Sequence, residues 1–388
     1  MRFLTAGESH GKGLIGIIDG YPSGVFINLN FLNQELKKRQ IGFGRGGRMS
    51  IEKDTVEVLS GIRKGKTTGS PISFIIYNKD WKNWNDTMQI ELSGKASKEA
   101  EEKLLEPRPG HADLTGFVKY RLDTIRDVIE RSSARETAVR VCIGGFSKII
   151  LNMMGIRVYS YVNQIGKVIL KKEVTLDKET IKLIEKSEVR CPDGDISLKM
   201  REEIIKAKKY GDSLGGRFKI IAAGVPPALG SYSNWDRRLD GKIAASIMSI
   251  PAIKAVEIGE GFSSASKSGL GFHDEIFYDK DSGFFRKTNR AGGLEGGITN
   301  GEDIIIGATM KPIPTTTKGM RTVNIKTKKQ AISIKERSDV CAVPSAAVVG
   351  EAMLSIEILK AILEKFGKDN IDEIMENYRN FKNYLEKI

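Results

Sequence analysis

The sequence predicts one domain of mixed helix and sheet across all 388 residues, on three observations. Apolar residues make up 40% and charged residues 29% of the chain, a globular balance that excludes disorder as a description of the whole. Short apolar runs of strand length are interspersed with longer segments of helical spacing. No long Pro- or Ser-rich linker separates them, which favours one integrated unit over 1–388.

Taken in order, Arg2–Ala6 and Leu14–Asp19 read as strands around a Gly-rich turn, and Asn30–Arg39 has helical spacing. A loop at Gly42–Gly47 leads to strand-like runs at Thr55–Leu59 and Ile72–Tyr77, and the polar stretch Asn78–Glu106 reads as irregular with a short helix. Ser133 followed three residues later by Glu136 is a capping box, so a helix is expected from there to about Met154. Val158–Val162, Phe218–Ala223, Ala255–Ile258 and Ile304–Ala308 read as strands, and Arg238–Met248, Ala346–Phe366 and Ile371–Leu385 as helices. Gly46 and Gly47, with Lys66–Pro71 behind them, weakly echo Gly296 and Gly297 with Lys311–Thr315 behind them. Either duplication or chance accounts for that.

No apolar run approaches the roughly 18 residues of a membrane span, and Met1–Gly13 lacks the basic-then-apolar pattern of a secretory signal. Three dispersed cysteines give neither a disulfide framework nor metal-ligand spacing. A reducing cytoplasm is therefore the expected location. The net charge of +13 invites either nucleic acid or a small polyanion held by arginines. Aromatics are only 7% and do not interleave with the arginine loops, which disfavours single-strand stacking surfaces.

Two nucleotide motifs fail on context. Gly42, Gly44 and Gly47 have dinucleotide-binding spacing, but a helix precedes them and a strand follows, the reverse of what places a helix N-terminus on a pyrophosphate. Gly61, Gly65, Lys66 and Thr67 resemble a P-loop one residue too short. More informative is the placing of arginines in glycine- or proline-rich loops: Arg39, Arg45, Arg48, Arg108, Arg131, Arg135 and Arg337. Guanidinium grips phosphate and carboxylate bidentately, so convergence of these loops would suit a ligand with three or more negative charges. Spacing alone leaves scattered surface charge equally open. His10 and His111 sit among small residues in Gly7–Gly11 and Arg108–His111, the setting of a presented imidazole or of a hydrogen-bonded turn histidine. Asp339 reads as a cap or as a carboxylate near the arginines.

These blocks together resemble the chorismate synthase family, nearly end to end. The resemblance covers Gly7–Gly11, Gly42–Met49, Ile51–Asp54, Arg108–Asp113, Arg131–Arg140 and Gly211–Gly216, then Val256–Phe262, Ala291–Gly301, Lys311–Thr315 and Arg337–Pro344. It implies conversion of 5-enolpyruvylshikimate 3-phosphate to chorismate and phosphate by a trans 1,4-elimination in aromatic amino acid biosynthesis. Reduced FMN is implied as a transient electron donor without net redox change, with NADPH or a separate flavin reductase as the source of electrons. The implied fold is α+β, a β-α-β sandwich of two antiparallel sheets flanking helices with a pseudo-twofold repeat, assembled as a homotetramer. By position, His10 is implied as the proton donor to phosphate, His111 as the protonator of reduced flavin, and Asp339 as the proton acceptor at flavin N5. Ser9, Arg45, Arg48, Arg108, Arg135 and Arg337 are implied for substrate. Arg131, Ser132, Ser133, Pro251, Ala252, Gly296, Lys311, Pro312, Ile313, Pro314, Thr315 and Arg337 are implied for flavin, with Arg39 and Arg45 for NADPH. Ser132 and Ser133 are expected at a helix N-terminus, where free amides attract anions.

Overall fold

Alternating burial along Gly13–Asp19, with Leu14 and Ile18 inside and Ile15 and Ile17 exposed, marks a strand covered on one face. Ile72, Phe74 and Ile76 repeat the pattern. These strands are neighbours in a four-stranded antiparallel sheet ordered Arg2–Ala6, Gly13–Asp19, Ile72–Tyr77, Glu57–Val58. The run expected over Thr55–Leu59 narrows to its centre because only Glu57 and Val58 enter the ladder. A second antiparallel sheet of five strands runs Ile253–Ile258, Ile304–Met310, Gly216–Ala223, Arg157–Ile165, Val168–Ile169. The computed structural model describes residues 1–46, 52–91, 104–172, 174–175, 177–280, 283–335 and 339–388; Gly47, Arg48, Met49, Ile51 and Arg337 lie outside them.

Three helices, Leu29–Gln40, Thr137–Met153 and Val343–Phe366, pack on one another. Thr137–Met153 also lies on the Gly13–Asp19 strand, and Val343–Phe366 lies on Arg157–Ile165 and Gly216–Ala223. The long helix is buried almost all round, as a core helix must be. Gly144 and Gly145 permit the close approach: a methyl on Gly144 would overlap Ala352, and one on Gly145 would press Leu32. Asn28 caps the first helix by accepting from the Phe31 amide at 3.2 Å.

The capping-box expectation is corrected in part. Ser133 does cap, accepting from the Arg135 amide at 3.3 Å, but over a 3-10 turn, Ala134–Glu136; the α-helix begins at Thr137. Glu136 pairs with Arg140 at 2.7 Å, its i+4 neighbour, in place of reaching back to Ser133. Ser132 ends the preceding helix Arg126–Ser132 and donates to the Val128 carbonyl at 2.6 Å. It therefore stands at a helix C-terminus, contrary to expectation.

The segment that resembles a short P-loop is a hairpin, Ile62–Arg63 paired with Lys66–Thr67, with Lys64 (φ 50°) and Gly65 (φ 78°) in the left-handed turn such hairpins need. Gly296 (φ 59°) and Gly297 (φ 84°) make the same turn between Leu294–Glu295 and Ile298–Thr299. Thr67 Oγ1 donates to the Pro22 carbonyl at 2.6 Å and accepts from Val25 at 3.0 Å. Thr299 Oγ1 donates to the Pro226 carbonyl at 2.7 Å and accepts from Leu229 at 2.8 Å. Cys142, Cys191 and Cys341 are buried free thiols, and burial pushes the Cys341 thiol up to about 12. Among the described residues, no helix is long and apolar enough to cross a membrane, and no His, Cys, Asp and Glu set gathers to hold a metal.

Candidate active site

The N-terminal ends of two helices, Thr137–Met153 and Val343–Phe366, open onto one cavity of about 990 Å³. Loops distant in sequence close it: the His10 turn, Arg45 and Gly46, the Arg108–His111 turn, Ile250–Ala252, and the strand exit at Lys311–Thr315. Amide-rich helix ends and converging loops suit an anion, and the volume is at the upper end of small-molecule sites.

Arg39, Arg45, Arg108 and Arg135 all line this cavity. Arg135 is gripped by Asp54, Nη1 donating at 2.7 and 2.8 Å to its two oxygens, while Nε donates to Asn78 Oδ1 at 2.9 Å. Arg39 donates from Nε to Thr137 Oγ1 and from Nη2 to the Ala134 carbonyl, each at 3.0 Å. Both side chains are more than nine-tenths buried; among the described residues Arg39 Nη1 and Arg135 Nη2 have no hydrogen-bond acceptor and lie, respectively, 3.6 Å from Asp54 Oδ2 and 3.8 Å from Glu52 Oε2. Burial, opposed by Asp54, holds the Arg39 guanidinium down to about 10.

Arg45 Nη1 lies 3.1 Å from Asp339 Oδ2 and donates to Ser345 Oγ, which in turn donates to the Arg39 carbonyl at 2.7 Å. Asp339 Oδ1 accepts from the Gly46 amide at 2.7 Å. Arg108 is fixed by Asp113, with Nε at 2.8 Å and Nη2 at 3.0 Å, and by Thr315 Oγ1 at 2.9 Å from Nη1. His111 Nδ1 lies 2.5 Å from Asp113 Oδ1. Burial would raise the Asp113 carboxyl, but His111 and Arg108 together hold it far below the ordinary range. Lys311 Nζ donates to the Gly110 carbonyl at 2.5 Å, tying the Lys311–Thr315 segment to the His111 turn.

Of the residues singled out from the sequence, Ser9, His10, His111, Asp339, Ser132, Ser133, Pro251, Ala252, Lys311, Ile313, Pro314 and Thr315 meet at this cavity with the four arginines. Arg131 stands apart, donating to the Thr5 carbonyl at 2.9 Å, and Pro312 and the Gly296 turn are also outside it. Arg48 and Arg337 lie outside the described residues. The partners Asp54, Asn78, Asp113 and Glu130, and the ring of Trp84 at the cavity wall, were not singled out. Asp54 and Asp113 lie within blocks that carry the resemblance, which was the available signal; Asn78, Trp84 and Glu130 offered none.

A family model described as chorismate synthase matches residues 1–363. The chain belongs to the chorismate synthase family. Among its relatives, the chorismate synthase of Alkaliphilus metalliredigens (strain QYMF) is 53% identical over 381 residues, covering 98% of this chain and 99% of the relative. That of Sulfurihydrogenibium sp. (strain YO3AOP1) is 54% identical over 393 aligned positions, covering 98% of each chain. A solved structure described as a crystal structure of chorismate synthase superposes with a TM-score of 0.79 at 38% identity, over 100% of this chain and 98% of that one. The carbon-oxygen lyase expected from the sequence is thus the enzyme class of its family, and mixed helix and sheet is the fold they share.

Proposed function

We infer that this chain converts 5-enolpyruvylshikimate 3-phosphate to chorismate and inorganic phosphate by trans 1,4-elimination, with reduced FMN bound, as the closing step of the shikimate pathway. The observation that carries this is the convergence of Arg39, Arg45, Arg108 and Arg135 on one cavity beside His10 and His111. A substrate with two carboxylates and a phosphate matches that set of guanidinium groups. Arg45, Arg108, Arg135 and Ser9 would hold those groups, with Arg48 and Arg337 added by resemblance.

The wall opposite in chemistry is apolar: Ile250, Pro251, Ala252, Ile313, Pro314 and Val349 line it. Beside the anion-seeking donors, this fits a flat ring carrying a phosphate tail, held by Ser132, Ser133, Pro251, Ala252 and Lys311–Thr315. For Arg131, Pro312, Gly296 and Arg337 the flavin role rests on the resemblance alone. Together these segments would hold the reduced flavin, whose chemistry when bound would be transient electron donation to the breaking carbon to phosphate-oxygen bond. His10 delivers a proton to the departing phosphate, His111 holds a proton at the flavin side, and Asp339, gripped by Arg45 and the Gly46 amide, is the proton acceptor.

The same reading takes the chain as one domain over 1–388, a cytoplasmic homotetramer with a β-α-β sandwich of pseudo-twofold halves. The matching bonds of Thr67 and Thr299 support two halves, in a register that pairs Lys64–Gly65 with Gly296–Gly297. Electrons come from NADPH at Arg39 and Arg45 or from a separate flavin reductase. An anaerobic assay with dithionite-reduced FMN, following chorismate absorbance, tests the function; absence of product from folded protein overturns it. Replacing dithionite by NADPH separates the two electron sources.

A further inference from the structure

Behind His10 stands a buried carboxylate. Glu130, in the helix Arg126–Ser132, is 2% exposed. Its Oε2 accepts from the His10 amide at 2.7 Å, its Oε1 lies 2.9 Å from His10 Nδ1, and its carbonyl accepts from the Ser9 amide at 3.0 Å. The Trp84 ring stacks on the imidazole, centroids 3.9 Å apart and planes 26° apart. Arg126 lies over the Trp84 ring at 5.1 Å and reaches Glu130 Oε1 at 3.3 Å, while Trp84 Nε1 donates to Asp80 Oδ2 at 3.2 Å. Among the described residues these contacts bring Glu130 and Arg126 behind the imidazole and Asp80 beyond the indole. Burial would raise the Glu130 carboxyl, but the His10 and Arg126 donors lower it.

We propose that Glu130 is a positioning residue for the elimination: it holds His10 with a proton on Nδ1, so that Nε2 is the nitrogen that delivers a proton to the departing phosphate. The step balances within the site. The Nε2 proton of the imidazolium passes to a phosphate oxygen, and neutral His10 keeps its Nδ1 proton in the bond to Glu130. The carboxylate stabilises the cation before transfer and fixes the tautomer after it, as a buried acid does for a catalytic histidine elsewhere. Trp84 keeps the ring from swinging off that axis. This inference rests on the reading of His10 as proton donor.

The chain has only three histidines, so nitrogen-15 spectra of histidine-labelled protein resolve each ring. In the unmodified enzyme, neutral His10 is expected as the Nδ1–H tautomer; the Nε2–H tautomer would overturn the proposal, whatever any variant does. Glu130→Gln keeps an acceptor and removes the charge. It is expected to lower kcat about tenfold or more and to leave KM within about threefold. A folded Glu130→Gln enzyme with full kcat would also overturn it. His10→Ala with undiminished turnover would instead remove the donor role of His10 while the tautomer result still stood.

Discussion

Two layers of buried charge are built on the same three helices, about one turn apart along Leu29–Gln40 and about three along Thr137–Met153. At the cavity, Arg39 from Leu29–Gln40 and Arg135 ahead of Thr137–Met153 share Asp54, Arg39 through Nη1 at 3.6 Å and Arg135 through Nη1 at 2.7 Å. Deeper in, Lys148 donates at 2.6 Å to Glu35 of the first helix and at 2.6 Å to Glu351 of the long one. Glu351 Oε1 also accepts from Ser160 Oγ and Arg190 Nη2, each at 2.7 Å, and Lys38 lies 2.9 Å from Glu35. In the deep layer each of these cations meets a carboxylate oxygen within 3 Å, although Arg190 Nε, like Arg39 Nη1 and Arg135 Nη2, has no hydrogen-bond partner among the described residues. The layers differ in the space they line, about 990 Å³ at the cavity against about 170 Å³ beside the deep layer. The second arrangement holds a fold together, whereas the first leaves room for a ligand.

The sharpest way to break this contrast is Lys148→Met, which leaves Glu35 and Glu351 buried without their shared cation. Urea unfolding is expected to show a loss of about 3–5 kcal/mol, with kcat/KM of the folded fraction little changed. Equal losses of stability and turnover would dissolve the distinction between the layers. Arg135→Lys keeps the charge on Asp54 but loses the fork. The expectation is a fall in kcat/KM equivalent to about 1.5–3 kcal/mol, against under about 1 kcal/mol in unfolding free energy.

Acid sharpens the contrast next. Burial would raise the Glu35 and Glu351 carboxyls, but Lys148 leads a set of cations that lowers both. With folded-state values below unfolded ones, their stabilisation is complete above the unfolded carboxylate range near 4.3 and fades as pH falls through the folded values. Unfolding free energy should therefore drop from about pH 5 downward, and more gently in Lys148→Met; an identical acid profile in that variant would contradict the assignment. The smallest effect is expected from Ser160→Ala, about 1 kcal/mol by thermal melting with unchanged turnover.

Much of this was legible locally. The helix Ile371–Leu385 and the strand Ile72–Tyr77 fall where their apolar spacing put them, and the motif loops carried the family. Convergence of the arginines was not legible, because Arg39, Arg108 and Arg135 meet only through tertiary packing. Their carboxylate partners were hidden for the same reason: Arg135 finds Asp54 across 81 positions and His10 finds Glu130 across 120. The Ser133 cap was read correctly but its helix began late, since Glu136 had a better partner in Arg140 than in its own cap.

Lys148 carries one more consequence. Its two carboxylates lie 113 and 203 positions away, so the pair cannot be completed until residue 351 has been made. Docking of the central helix layer is then an event of the nearly finished polypeptide, the kind of long-range closure that slows folding and leaves unfinished chains dependent on chaperones.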